Sequence, residues 1–295
     1  MGQRQSVSTN PREIYEFLNL IDPERHACVT EPLYITKRNI DAINRSRLEK
    51  TLNLATNSPD IRARHQIPII EDFIANEIGL SNTLPLLIEH RPEPAFYSSL
   101  DDCLAQEYPF IVMPVFLSEL KIEIQGISSL TGTFVYGAQG VNPAHLNVVL
   151  IDNRTKEIER FEPYGDVMKD FVSPGVNVDA YIRGYLAQFP SLKDYTYHPP
   201  SEYCPVGPQT LQSIDPRSWM FYKGGFCGFW SVYYVATRLR NPDFTGKEIS
   251  KFLTHLGFWT LYTDIVEFRD TLLRNEYPKV FIILDKPHWK KVLNS

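Results

Sequence analysis

Apolar residues recur at two different intervals along this chain, and the interval changes near residue 96. In the stretch from Pro11, Ile14, Phe17 and Leu18 fall three and four residues apart. Asn10 is placed to cap such a helix and Pro11 to open its first turn. From Ile35 to Leu54 apolar residues recur at helical intervals among Arg and Lys. Ile69 to Ile78 repeats the pattern, with Pro68 before it and Gly79 as a stop signal. Residues 1–95 are therefore expected to form a helical N-terminal subdomain. The proline-bearing stretch Glu89-His90-Arg91-Pro92-Glu93-Pro94 reads as its junction with the rest of the chain.

Beyond the junction the spacing becomes that of strands. Pro109–Leu117, Thr131–Tyr136, Leu146–Ile151 and Ile158–Phe161 are rich in β-branched and aromatic residues. Asp152-Asn153-Arg154-Thr155-Lys156 is turn chemistry, so the last two strands pair as a hairpin. A tight hairpin there sets His145 across from about position 163, with Glu162 beside it. Helices are expected over Val176–Phe189, Cys227–Arg240, Lys247–Leu256 and Asp264–Glu276, and short strands over Tyr195–Tyr197 and Val280–Leu284. Asn241-Pro242 ends the second of these helices. The class is α+β: a mixed central sheet in a body spanning residues 96–295, plus the helical subdomain.

Composition narrows the function. A net charge of −5 lays no general basic footprint, so nucleic acid is not an expected partner. The four cysteines, Cys28, Cys103, Cys204 and Cys227, have no CxxC spacing. That argues against a zinc site, and no metal or cofactor is expected. Four cysteines in 295 residues also make no disulfide framework. A reducing cytoplasmic setting is expected, in which Cys227 stays a thiol. No apolar run reaches the length of a spanning helix. Met1-Gly2-Gln3-Arg4-Gln5-Ser6 fits the N-myristoylation pattern, which makes Gly2 a lipidation candidate on a flexible start. One acyl chain gives marginal, reversible membrane contact.

The candidate chemistry centres on Lys223-Gly224-Gly225-Phe226-Cys227-Gly228-Phe229-Trp230. A free cysteine in an apolar helix is ordinarily a small core residue. Here it opens the helix, where unpaired N–H groups and the macrodipole stabilise a thiolate. Gly224 and Gly225 let a substrate backbone approach, and the same N–H groups can bind an oxyanion. His145 is the candidate base. Glu162 is the candidate group that orients its imidazole and favours the imidazolium.

His145, then Glu162 within Phe161-Glu162-Pro163-Tyr164-Gly165, then Cys227 at a helix start, resembles the adenovirus-type endopeptidase. The wider group is the clan of cysteine peptidases that process ubiquitin-like proteins, including SUMO deconjugases and capsid-maturation proteases of large DNA viruses. Gly225–Trp230 and Arg238-Leu239-Arg240-Asn241-Pro242-Asp243 are similar to peptidases of this clan from such viruses. The resemblance covers about residues 109–245. It implies an adenain-like fold and a Cys-His-Glu peptidase or isopeptidase. The implied substrate is a viral polyprotein or a ubiquitin- or SUMO-like conjugate, in host cytoplasm or associated with a virion or membrane. Two alternatives use the same residues: an acetyltransferase, or an inactive relative acting as a virion or binding protein. The family's Trp after the His is Leu146 here. Its oxyanion Gln, six or seven residues before the Cys, is replaced by Met220 and Phe221. An inserted loop over Ser213–Lys223 leaves Gln209, fixed by Gly207-Pro208, as first choice for that role and Gln212 as second.

Overall fold

The structure, a computed structural model, describes residues 11–22, 24–40, 87–90, 98–127, 134–166, 178–214, 226–274 and 276. Its organising element is strand β4, Phe110–Ile127. Phe110, Val112 and Phe116 enter one core, while Ile111, Met113, Val115 and Leu117 enter another. That alternation is the period of a pleated strand with both faces covered. Strand β5, Phe134–Asp152, repeats it with Leu146, Val148 and Leu150 on the first face and Val149 and Ile151 on the second.

Among the described residues, seven strands form one mixed sheet. β1 (Ala27–Val29) and β2 (Leu33–Ile40) both run parallel to β4, and β3 (Leu87–His90) pairs antiparallel with β2. β4, β5 and β6 (Glu157–Phe161) are antiparallel neighbours, and β7 (Thr196–His198) closes the order in parallel with β6. The first face carries α1 (Pro11–Leu20), α6 (Cys227–Arg240), α7 (Gly246–His255) and α8 (Phe258–Leu273). The second face carries α2 (Leu100–Ala105) and α3 (Val178–Leu186), whose Val178, Ile182 and Leu186 share one stripe. Two short helices, α4 (Pro200–Tyr203) and α5 (Pro208–Ile214), link β7 to the region before α6. The molecule is α+β with a mixed sheet, as the spacing of apolar residues required.

α6 is the central helix. Every residue from Cys227 to Arg238 is buried, and Asn241 ends it by donating its N–H to the Thr237 carbonyl at 3.0 Å. A buried carboxylate ties it to the sheet. Glu159 of β6 accepts from Tyr234 Oη at 2.7 Å, Arg238 Nε at 3.1 Å and the Gly246 N–H at 2.9 Å. The last bond fixes the start of α7, which Thr245 and Glu248 also close with a reciprocal capping box.

The described part of residues 1–95 departs from the expected helical subdomain. α1 is a helix, but β1, β2 and β3 belong to the central sheet. Leu33 and Ile35 alternate into the second core, so the stretch expected as a helix from Ile35 begins inside a strand. Pairing along β4 supplies backbone bonds and burial that outweigh its weak helical spacing. α1 packs on α6: the Phe17 and Phe229 rings lie 5.9 Å apart. A Cβ on Gly228 would meet Ile14 Cδ1 at 3.1 Å. Ile69–Ile78, the 91–94 junction, Val280–Leu284 and Gly2 lie outside the described residues. Among the described residues no helix is long and apolar enough to cross a membrane.

A second correction concerns the cysteines. Cys28 and Cys103 form a disulfide, with Cα atoms 5.6 Å apart across a sequence separation of 75. β1 pairs with the first residues of β4, and α2 leads directly into β4, so the fold itself brings the two together. Nothing in local spacing announces a pair made by strand order. Closing a loop of this length stabilises a fold by about 2–4 kcal/mol. Peptide mapping without reductant should recover Cys28 linked to Cys103 and leave Cys204 and Cys227 free. The Cys28→Ser/Cys103→Ser variant should lose about 2–4 kcal/mol in denaturant melts and become insensitive to reductant. An unchanged midpoint would refute the bond.

Candidate active site

Cys227 is the first residue of α6, preceded by Phe226 at the cap position with no side-chain cap. The N–H groups of that first turn have no partner within the helix. The Cys227 sulfur meets the His145 ring and the backbone N–H of Leu146, both on β5. Gly224 and Gly225, expected to widen the approach, lie outside the described residues.

His145 is positioned by the end of a ladder. The β5–β6 pairing runs from Asp152↔Glu157 to Val148↔Phe161 and stops. This register is one residue beyond the expectation, under which Val148 would face Arg160. The cause is a four-residue loop over 153–156 in which Lys156 turns into the left-handed region, φ 57°. Continued past its end, the register puts His145 across from Tyr164, and their rings are 5.2 Å apart. Glu162 is then the diagonal neighbour. Its Oε1 meets His145 Nε2 in a short hydrogen-bonded ion pair. With Nε2 occupied, Nδ1 is the ring atom left for Cys227.

A turn holds Glu162 still. Its Oε1 also accepts the Tyr164 N–H at 3.1 Å, and its carbonyl accepts the Gly165 N–H at 2.8 Å. Gly165 has φ 79°, and a Cβ there would lie 2.5 Å from Gly207 N. Two chain segments cross here where no Cβ fits on either. Gly207 N–H donates to Tyr164 O at 3.0 Å, Asp166 N–H to Pro205 O at 3.1 Å, and Gln209 N–H to Pro163 O at 2.9 Å. The crossing joins the start of α5 to the Glu162 turn.

That junction brings Gln209 beside Pro163, wholly buried on the first turn of α5. Gln212, the second candidate, is committed elsewhere: its Oε1 accepts from Trp230 Nε1 at 2.9 Å. The structure thus brings together Cys227, His145 and Glu162. It ties Gln209 to them through its backbone and gives Gln212 a role in packing α6.

Four further residues belong to the site. Arg160 Nη1 lies 3.5 Å from Glu162 Oε2 and donates to Asn147 Oδ1 at 2.9 Å. Its Nε and Nη2 clasp the Asp179 carboxylate of α3 at 2.7 and 2.9 Å. Tyr197 Oη donates to the same carboxylate at 2.6 Å. Arg160 and Glu162 stand two apart, as do His145 and Asn147, so each pair lies on one side of the sheet, but that spacing by itself gives an arginine no role, and Asp179 and Tyr197 carry no such signal.

Burial and charge act together here. His145, Glu162 and Cys227 are 2%, 0% and 3% exposed, so little solvent screens them. Burial by itself lowers the His145 pKa, but the Glu162 carboxylate and the Cys227 thiolate raise it to about 10. Burial raises the Cys227 pKa, and His145 with the Leu146 N–H more than reverses this, so it falls below its ordinary value. Both shifts favour the imidazolium–thiolate form of the pair over the neutral one. Cys204 makes the contrast: it is as deeply buried, no cation among the described residues offsets that burial, and it is pushed up to about 12. Such a row can deliver a charged nucleophile and a proton donor to a carbonyl group. Among the described residues no group of three or more His, Cys, Asp or Glu could hold a metal ion.

No family model, curated protein or solved structure matches this chain.

Brief iodoacetamide labelling at neutral pH should modify Cys227 before Cys204. Burial does not separate the two thiols, so the difference must come from their protonation. Preferential labelling of Cys204 would overturn the assignment of the thiolate.

Proposed function

We propose that this chain is a cysteine peptidase or isopeptidase of the adenovirus-type, ubiquitin-like-protein-processing class. The observation that carries the reading is the ordered contact of Cys227, His145 and Glu162 at the start of a central helix. The sequence resemblance adds the substrate class: an extended chain with small residues at the scissile bond. A viral polyprotein or a ubiquitin- or SUMO-like conjugate presents such a chain.

The Cys227 thiolate attacks the carbonyl carbon, and the carbonyl electrons move onto oxygen. The N–H groups of the first turn of α6 stabilise that oxyanion, with Gln209 as the side-chain donor. Collapse of the intermediate breaks the C–N bond, and His145 gives its proton to the departing amine. The product is a thioester on Cys227. His145, now neutral, takes a proton from water as its oxygen attacks the thioester. The acid is released and the thiolate restored. Glu162 keeps the imidazole oriented throughout and favours its charged form.

The pH profile of kcat/KM should be bell-shaped. Its acid limb follows ionisation of Cys227 and lies below the ordinary thiol value of 9.0. Its alkaline limb follows loss of the His145 proton, near pH 10. The sign agrees with stability: a raised His145 pKa means its imidazolium stabilises the fold fully below 6.5. That contribution is lost as pH rises through about 10.

Purified protein assayed on ubiquitin and SUMO probes and on peptides with Gly-Gly and Gly-Xaa-Gly cores tests the reading. A covalent adduct on Cys227, or cleavage of one of these substrates, is expected. His145→Ala should abolish turnover, and Glu162→Gln should reduce it less. Gln209→Ala should cost about 3–4 kcal/mol of barrier. Near wild-type rates in the His145 and Glu162 variants, or no adduct on any probe, would end the proposal.

A further inference from the structure

Glu162 has two carboxylate oxygens, and only one is used by His145. Oε1 receives His145 Nε2 and the Tyr164 N–H. Oε2 faces Arg160, whose Nη1 is 3.5 Å away. The guanidinium cannot swing off, because its other donors are fixed. Nε and Nη2 are held by Asp179 at 2.7 and 2.9 Å, and Nη1 is held by Asn147 at 2.9 Å. Arg160 and Glu162 are 6% and 0% exposed. A carboxylate buried this deeply is retained in charged form only by a matching cation and hydrogen bonds.

Among the described residues, six other titratable groups face this pair. They are His145 from β5, Cys227 from α6, Asp179 from α3, Tyr197 from β7, Tyr203 from α4 and Cys204 from the segment after it. Their signs alternate along the row: Asp179 negative, Arg160 positive, Glu162 negative, His145 positive, Cys227 negative. A unit removed from the middle of an alternating row disturbs both sides.

We propose that Arg160, clasped by Asp179, is a positioning residue that fixes the Glu162 carboxylate in the orientation that meets His145. The proposal rests on the cysteine-peptidase reading for its rate effects but not for its electrostatic ones. The planar fork matters as well as the charge. Arg160 serves three acceptors from one rigid group, and an ammonium on a flexible stem cannot replace that geometry.

The test measures the pH dependence of Cys227 alkylation by iodoacetamide, which needs no substrate, beside kcat and KM on whichever probe is cleaved. Arg160→Gln leaves Glu162 and Asp179 without a cation between them. His145 then holds the thiolate less well, and the acid limb of alkylation should move up by about one pH unit. kcat should fall between about tenfold and a hundredfold with KM nearly unchanged, the mark of lost orientation rather than lost binding.

Arg160→Lys keeps the charge without the fork and should fall between wild type and Arg160→Gln in both readouts. It also decides the matter if Arg160→Gln fails to fold. A folded Arg160→Gln with the wild-type alkylation profile overturns the proposal, as does an Arg160→Lys variant equal to wild type in limb and kcat. A shifted alkylation limb in a protein that cleaves no probe would sustain the role of Arg160 and count against the peptidase reading.

Discussion

A carboxylate with no exposed surface, Glu162, sets the terms for this region. Moving an unpaired carboxylate out of water costs several kcal/mol even after the protein relaxes. The molecule therefore has to supply a cation and hydrogen bonds on every side from which water has been removed. His145 and the Tyr164 N–H bond one oxygen, and the Arg160 guanidinium stands 3.5 Å from the other as its ion-pair partner. Those groups come from three places: β5, the turn after β6, and β6 itself. The burial that makes the carboxylate costly also strengthens each attraction that offsets it. An exposed Glu162 would be easier to accommodate and would hold an imidazolium far less firmly.

The constraint explains why the turn after β6 is so closely built. Glu162, Pro163, Tyr164 and Gly165 run against Cys204–Gln209, with backbone bonds in both directions. Gly165 and Gly207 meet where a side chain on either would overlap the other segment's backbone. This close crossing does two things at once. It stops the Glu162 backbone from drifting, and it fixes the start of α5 in the same frame. Gln209 is thereby referenced to Glu162 rather than to α6, although α6 comes after it in sequence.

Much of this was legible in the sequence, and the losses have physical causes. The β5–β6 hairpin was visible because alternation and turn residues are local signals. Its register was missed by one residue because the left-handed turn at Lys156 lengthens the loop. The α6 helix was visible at both ends, in Cys227 after glycine and in Asn241-Pro242. β2 was obscured because Leu33 and Ile35 sit in a stretch where charged residues interrupt the alternation, and pairing with β4 decides its state. The Cys28–Cys103 bond was invisible because it joins elements that are neighbours only through strand order. His145, Glu162 and Cys227 could be named from spacing and resemblance. Arg160 could not, since an arginine on a strand is ordinary until its neighbours on the same face are known.

β6 shows what separates a structural ionic network from one able to do chemistry. Its five residues place buried charge on both faces of the sheet. On the first face, Glu159 is held by Arg238 and Tyr234. Asp152 joins that network 3.3 Å from Arg238. Its cation is a guanidinium, which stays protonated at any pH the fold survives. The network can lock α6 and α7 to the sheet but has no proton to give. On the second face the row also begins with a guanidinium, Arg160, but past the end of the β5–β6 ladder it reaches an imidazole and then the thiol at the start of α6 on the first face. Alternating charge, working against burial, pushes those two groups in opposite directions, His145 up and Cys227 down. The permanent charge supplies the reference, and the titratable pair at the far end can respond to a substrate. A fold that needed only stability would have finished both rows with arginine.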